Sequence, residues 1–246
     1  MKRLLGSISL FIFCFWYAPG TSQNIVYKVR EPLKKTEVRS PVLFILHGYG
    51  SNEEDLFDLA QTLDERLTIL SLRAPIALAE GSFCWYTLGR DNNNTLTYNY
   101  EEVLVTKKLL MGFIRSVCKT MNLDSTQIFL MGFSQGAMMS YDLVLSFPGK
   151  IKGVLALSGR LMEESKPKST KPALLNATFF IAHGTEDVRI MPSEAEKAVA
   201  YLKNKGVKEV EYKTYAMQHV LNGKEIIDIR AWLSKQLKKP AEPAKK

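Results

Sequence analysis

Gln127-Ile128-Phe129-Leu130-Met131-Gly132-Phe133-Ser134-Gln135-Gly136-Ala137-Met138-Met139 is the stretch whose reading decides the fold. Its first five residues are an apolar run rich in strand formers. The residues from Ala137 to Leu145 read as a buried helix that stops near Pro148 and Gly149. Between the two lies G-x-S-x-G, which puts a serine on a sharp strand-to-helix turn. Such a turn holds the serine in strained dihedrals, and glycines beside it let neighbouring backbone pass where a Cβ would block it. The hydroxyl then stands at the edge of a sheet. The helix that follows aims free N–H groups and a partial positive charge at the same place. The stretch therefore predicts a nucleophile at Ser134.

A serine hydroxyl at its ordinary pKa needs a base, and histidine is suited because its pKa lies near working pH. The chain has three histidines. His47 and His183 each end an apolar run and precede a glycine, as residues at strand ends that bond to loop backbone do. In the nucleophile–acid–base order that accompanies this turn, the base must follow Ser134 with room for an acid between. His219, in Ala216-Met217-Gln218-His219-Val220, fits that order. Gly184-Thr185-Glu186-Asp187 supplies two carboxylates after the run Thr178 to Ala182. Asp187 is the expected acid, with Glu186 second, to hold one tautomer of His219 and stabilise its imidazolium. Stabilising a tetrahedral oxyanion takes two N–H donors, the one after the nucleophile and one from a loop following an earlier strand. Gln135 provides the first; in His47-Gly48-Tyr49-Gly50, after the strand Val42 to Leu46, Tyr49 is the expected second.

Away from the turn, apolar runs alternate with helical patterns. Strands are expected near Ile25 to Val29, Val42 to Leu46, Leu67 to Leu72, Gln127 to Met131, Gly153 to Leu157, Thr178 to Ala182 and Val210 to Tyr215. Helices are expected over about Glu53 to Leu63, Glu101 to Met121, Gln135 to Phe147, Pro192 to Lys205 and Lys224 to Lys238. Continuously apolar strands separated by helices imply an α/β fold with a mostly parallel central sheet covered on both faces. The chain of 246 residues is enough for one sizeable core, with no internal repeat or linker.

On these residues the chain resembles the phospholipase/carboxylesterase family of α/β-hydrolases, which includes the acyl-protein thioesterases. The resemblance rests on His47-Gly48-Tyr49-Gly50, on Gly132 to Met138 with Gln135 after the serine, on His183-Gly184-Thr185-Glu186-Asp187, and on His219 after Met217. It implies the α/β-hydrolase fold, a triad of Ser134, Asp187 and His219, and oxyanion donors at Tyr49 and Gln135. The segment Arg73-Ala74-Pro75 through Gly81-Ser82-Phe83-Cys84-Trp85-Tyr86 also resembles the family, whose Trp-Tyr or Trp-Phe pair lies beside the acyl pocket. Phe83, Trp85 and Tyr86 could thus form an apolar wall for substrate or simply be core. The chain departs from the family at Gln218, where glycine is common, and at Val188-Arg189-Ile190 after the acid.

The N-terminus reads separately. Lys2-Arg3, the apolar stretch Leu4 to Trp16, and the small residues Ala18, Gly20 and Ser22 follow the order of a secretory signal peptide over residues 1–22. It is short for a membrane span. The catalytic domain is then expected over 23–240, followed by a basic tail over 241–246, with the protein secreted or periplasmic. An oxidising compartment permits a bridge between Cys84 and Cys118, but spacing alone leaves their pairing open. The net charge of +8 gathers partly in Lys235, Lys238, Lys239, Lys245 and Lys246 without any nucleic-acid motif, so it reads as a solvated tail. No metal and no cofactor are expected, because no carboxylate cluster has ligand spacing.

The sequence thus predicts an exported serine esterase, monomeric or homodimeric, acting on a small-molecule ester or lipid. Lysophospholipids, thioesters and acetyl or feruloyl esters of polysaccharide are alternative substrates. A serine peptidase on the same fold, and a non-catalytic binding protein that kept it, are the competing readings.

Overall fold

The computed structural model describes residues 25–34, 39–92, 96–167 and 172–237. The signal segment 1–22, the tail 241–246 and Lys238 at the expected end of the last helix lie outside the described residues.

The strands β1 (Tyr27–Arg30), β2 (Val42–Leu46), β3 (Thr68–Leu72), β4 (Ile76–Ala79), β5 (Ser82–Cys84), β6 (Leu88–Arg90), β7 (Leu96–Tyr98), β8 (Ile128–Phe133), β9 (Gly153–Leu157), β10 (Thr178–Gly184) and β11 (Glu209–Tyr215) alternate with helices. The helices are α1 (Phe57–Ala60), α2 (Tyr100–Thr120), α3 (Gln135–Ser146), α4 (Pro192–Asn204) and α5 (Gly223–Gln236). Seven strands form one sheet in the order β1-β3-β2-β8-β9-β10-β11. All neighbours in it are parallel except β1, which pairs antiparallel with β3. This is the mostly parallel sheet of an α/β-hydrolase, with β8 at its centre.

Every residue of β2, β3, β9 and β10 is buried. Alternation then divides their side chains between two cores. Val42, Phe44, Leu46, Leu130, Val154, Phe179 and Ile181 pack with α2, α3 and α4. Leu43, Ile45, Phe129, Met131, Leu155, Phe180 and Ala182 pack on the other face with Trp232 and Leu233 of α5. Near-continuous apolar runs, broken only by Thr68 and Ser71 in β3 and by Thr178 and His183 in β10, are what two covered faces require. Asn99 and Asn222 cap α2 and α5, each accepting the N–H of the residue three ahead.

At the periphery the structure departs from the sequence pattern twice. The helix expected from Glu53 to Leu63 is a single turn, Phe57–Ala60, flanked by turns. Asn52 Oδ1 accepts the Glu54 N–H at 2.9 Å, and the Glu53 carboxylate is drawn into a two-point ion pair with Arg73. Tertiary bonds thereby override local periodicity. The segment from Pro75 to Tyr98, to which the sequence pattern assigns no strand, carries two small hairpins, β4–β5 and β6–β7. Gly81 (φ 70°) turns the first of them.

Candidate active site

Ser134 joins β8 to α3 with φ 53° and ψ −113°, a left-handed conformation that non-glycine residues rarely take. The glycines around it are required by contact. A Cβ on Gly132 would lie 2.2 Å from the Gly136 carbonyl oxygen, and a Cβ on Gly136 only 2.1 Å from that of Leu46. The turn is therefore pressed between its own two arms and the end of β2. The Ser134 N–H donates to Leu157 O at 2.9 Å, tying it to β9 as well. Strain at one serine persists because three strands over-determine it.

His219 reaches this serine from the loop after β11, the edge strand of the sheet. The loop after β11 folds back across the end of β10, where the Thr185 and Glu186 N–H groups donate to Tyr215 O and Met217 O at 2.8 and 3.1 Å. Gly184 makes the crossing possible, since a Cβ there would stand 2.2 Å from Met217 O and 2.4 Å from Gln218 O. His219 Nε2 lies 2.9 Å from Ser134 Oγ, and its Nδ1 lies 2.6 Å from Asp187 Oδ2. In the neutral imidazole Nδ1–H donates to Asp187 and Nε2 accepts the serine proton. Asp187 Oδ1 accepts the N–H groups of Arg189 and Ile190 at 2.9 and 3.0 Å. Burial pushes the Asp187 pKa up, but its bonds from His219, Ile190 and Arg189 more than offset this, leaving it below the usual carboxylate range. It is Asp187 that bonds to His219, whereas the neighbouring Glu186 is exposed.

The other two histidines bond to backbone, as their positions at strand ends imply. His183 Nε2 donates to Ile190 O at 2.8 Å and sits 3.2 Å from Asp187 Oδ2, so it braces the acid loop from beneath. His47 Nδ1 donates to Gly48 O at 2.7 Å and its Nε2 accepts the Ala74 N–H at 3.0 Å. This pins a neutral ring under the loop that carries Tyr49; burial, above all, holds its pKa below the ordinary value.

Trp85 completes that support. Its Nε1–H donates to His47 O at 2.8 Å and its ring lies against the His47 ring, centroids 5.2 Å apart. Gln135 spends its side chain in the same place, with Oε1 accepting from Trp85 N (2.9 Å) and Nε2 donating to Tyr86 O (2.7 Å). The main-chain N–H of Gln135 opens α3 directly after Ser134 and has no acceptor within the helix.

A cavity of about 460 Å³ opens on Ser134 and His219. Tyr49 and Gln135 line it near the serine, Tyr86, Leu88 and Met138 form an apolar wall, and Ile190 and Met191 stand opposite. Of the three aromatics expected as an acyl wall, only Tyr86 lines it. The expectation is corrected for the others: Trp85 is fully buried behind the oxyanion-side loop, and Phe83 lies outside under the Arg73 guanidinium, 4.7 Å away. Sequence reading missed the contributions of Arg160, Arg189, Met191 and Glu194 to the cavity. The departure at Val188-Arg189-Ile190 was the one visible signal. Cys84 and Cys118 are separate buried thiols, and burial pushes both pKa values up to about 11. Among the described residues, no group of three or more His, Cys, Asp or Glu side chains converges as metal ligands would.

Fold and site together define a serine hydrolase of the α/β-hydrolase class. The phospholipase/carboxylesterase family model matches residues 29–237, and the chain belongs to that family. It is 28% identical over 238 residues to an acyl-protein thioesterase 1 of Mycosarcoma maydis, covering 87% of this chain and 96% of that protein. An acyl-protein thioesterase 1 of Emericella nidulans is also 28% identical, over 81% of this chain and 91% of that protein. Among solved structures, the Bacillus cereus carboxylesterase superposes with a TM-score of 0.75 at 23% identity, covering 87% of this chain and 95% of that one. The chain is thus a carboxylesterase or acyl-protein-thioesterase type of hydrolase.

Proposed function

We propose that the protein is an exported carboxylesterase that works through an acyl-enzyme on Ser134. The observation that carries this reading is the hydrogen-bonded series Ser134–His219–Asp187, opening directly into the cavity. His219 Nε2 takes the Ser134 proton as Oγ attacks the ester carbonyl. Asp187 holds the tautomer and stabilises the imidazolium. The N–H groups of Gln135 and Tyr49 receive the oxyanion, aided by the N-terminal end of α3. His219 then protonates the leaving alkoxide and activates the water that releases the acid. No step calls for a cofactor.

The apolar wall of Tyr86, Leu88 and Met138 suits an acyl chain. A thioester would pass through the same steps, and the names of the fungal relatives favour including thioesters among the substrates. Export rests on the N-terminal order of residues 1–22, and it makes esters outside the cytosol the natural targets. Among the described residues no helix is long and apolar enough to cross a membrane.

The test is labelling by a fluorophosphonate. The protein should be labelled stoichiometrically, Ser134→Ala not at all, and His219→Ala orders of magnitude more slowly. Equal labelling of the Ser134→Ala variant would remove the nucleophile. Turnover of 4-nitrophenyl esters from acetyl to palmitoyl would rank the acyl groups.

A further inference from the structure

One cavity feature is not used by the chemistry above. Arg160 lines the cavity with Tyr86, Leu88 and Met138, half-buried. It is held there by construction. Ser158 before it takes φ 48°, and a Cβ on Gly159 would lie 2.5 Å from Ala137 Cβ, so the chain leaving β9 is pressed against the start of α3. The guanidinium lies over the Tyr98 ring, 5.5 Å from its centroid, and among the described residues no carboxylate forms an ion pair with it. The nearby carboxylate of Glu164 is engaged by the Tyr98 hydroxyl. Arg189, at the exposed side of the cavity, likewise has no ion-pair partner among the described residues. Among the described residues the one acid that lines the cavity, Glu194, is paired with Lys197 at 2.5 Å. The cavity therefore holds two guanidinium groups, neither in an ion pair among the described residues, beside an apolar wall.

A fixed, partly desolvated guanidinium without a counter-charge is unfavourable until a ligand supplies one, and its planar fork matches carboxylate and phosphate oxygens. We infer that Arg160 is a specificity-determining residue that reads an anionic group, carboxylate or phosphate, on the ester substrate. The inference rests on the reading of Ser134 as the site of attack. Arg189 at the mouth attracts the same charge, and the apolar wall takes the uncharged part of the molecule. The preferred substrate is then amphipathic, an ester with a charged end rather than a plain alkyl ester.

Two matched pairs test this. One is the 4-nitrophenyl monoester of succinate against its methyl-capped neutral counterpart. The other is a 1-acylglycerol 3-phosphate against the same 1-acylglycerol. In at least one pair the protein should favour the anionic member, and Arg160→Gln should lower the anionic-to-neutral ratio of kcat/KM by about tenfold or more, mainly through KM. Arg160→Lys should keep part of that ratio, since it keeps the charge but not the fork. The pair that responds says whether the charge belongs to the acyl or the alcohol side. An unchanged ratio in both pairs, or equal losses on both members, would overturn the inference. Binding separates this from the catalytic reading. In a Ser134→Ala background, calorimetry should find the anionic member of the responsive pair bound, and more weakly once Arg160→Gln is added. Binding insensitive to Arg160 overturns the inference. Arg160-dependent binding by a protein that turns over neither pair would instead place the failure with the nucleophile.

Discussion

Gly184→Ala probes the placement of His219 without touching any group that reacts. The new Cβ would stand 2.2 Å from Met217 O and 2.4 Å from Gln218 O, whereas ordinary contact begins near 3.4 Å. The obstructing atoms are backbone and cannot rotate away, so the 217–218 segment must retreat by about 1 Å. His219 is the next residue, and its bonds of 2.9 Å to Ser134 and 2.6 Å to Asp187 leave no slack for such a movement. Misplacement of a catalytic group by 1 Å can lower the rate on the order of 100-fold. Overpacking of this kind costs about 1–3 kcal/mol of stability, which a domain of this size survives. The assay is kcat and KM on a 4-nitrophenyl ester with thermal unfolding in parallel. The expected outcome is a fall in kcat of roughly 100-fold, little change in KM and a modest drop in Tm. Full kcat in a folded Gly184→Ala protein would refute the argument that this contact sets the histidine.

Three further outcomes follow from other contacts. Glu225 is fully buried, neither carboxylate oxygen has a hydrogen-bond partner among the described residues, and burial above all raises its pKa to about 7. The folded state thus holds a proton that the unfolded chain releases near pH 4.5, so stability falls as pH rises from about 4.5 to 7 and stays reduced above. Glu225→Gln should therefore stabilise the protein by about 3 kcal/mol at pH 8 and hardly at all at pH 4, as denaturant midpoints would show. His47 has the opposite dependence: its pKa is depressed on folding, so its contribution is complete above about pH 6.5 and is lost as pH falls through the folded value. In the Glu225→Gln background, unfolding midpoints that kept rising as pH dropped below 6.5 would contradict this. Trp85→Phe removes the Nε1–H bond to His47 O but keeps most of the ring, so it should lower kcat with little effect on KM and reduce stability by about 1–2 kcal/mol; a change confined to KM would make Trp85 a substrate-binding residue after all.

The elements at the sheet's centre were legible because burial on both faces leaves a plain mark. β2, β8 and β9 carry no polar side chain, β10 is apolar from Phe179 to Ala182, and G-x-S-x-G sits where a strand and a helix meet. Ser134 and His219 could be singled out because the motif and chain order leave few candidates, and the histidines number only three. At the periphery, polar side chains decide the backbone through distant partners, and local pattern loses its force. The Asn52 and Glu53 bonds that unmake the expected helix over 53–63 are of this kind. So is the role of Trp85, which the sequence left open between pocket wall and core, and whose indole bonds to a carbonyl 38 positions away in sequence.

The sequence by itself determined the fold class, the turn that bears Ser134, and the order in which an acid and a histidine follow it, because periodicity and glycine spacing are local properties of the chain. Only the tertiary structure decided that Asp187 and not Glu186 faces His219, that Tyr86 lines the cavity while Phe83 and Trp85 do not, and that Arg160 and Arg189 share it with no ion-pair partner among the described residues. Those are questions of direction and distance between segments brought together across a sheet. They are settled by close contacts such as Gly184 against Met217 and Gly159 against Ala137, which no stretch of sequence contains within itself.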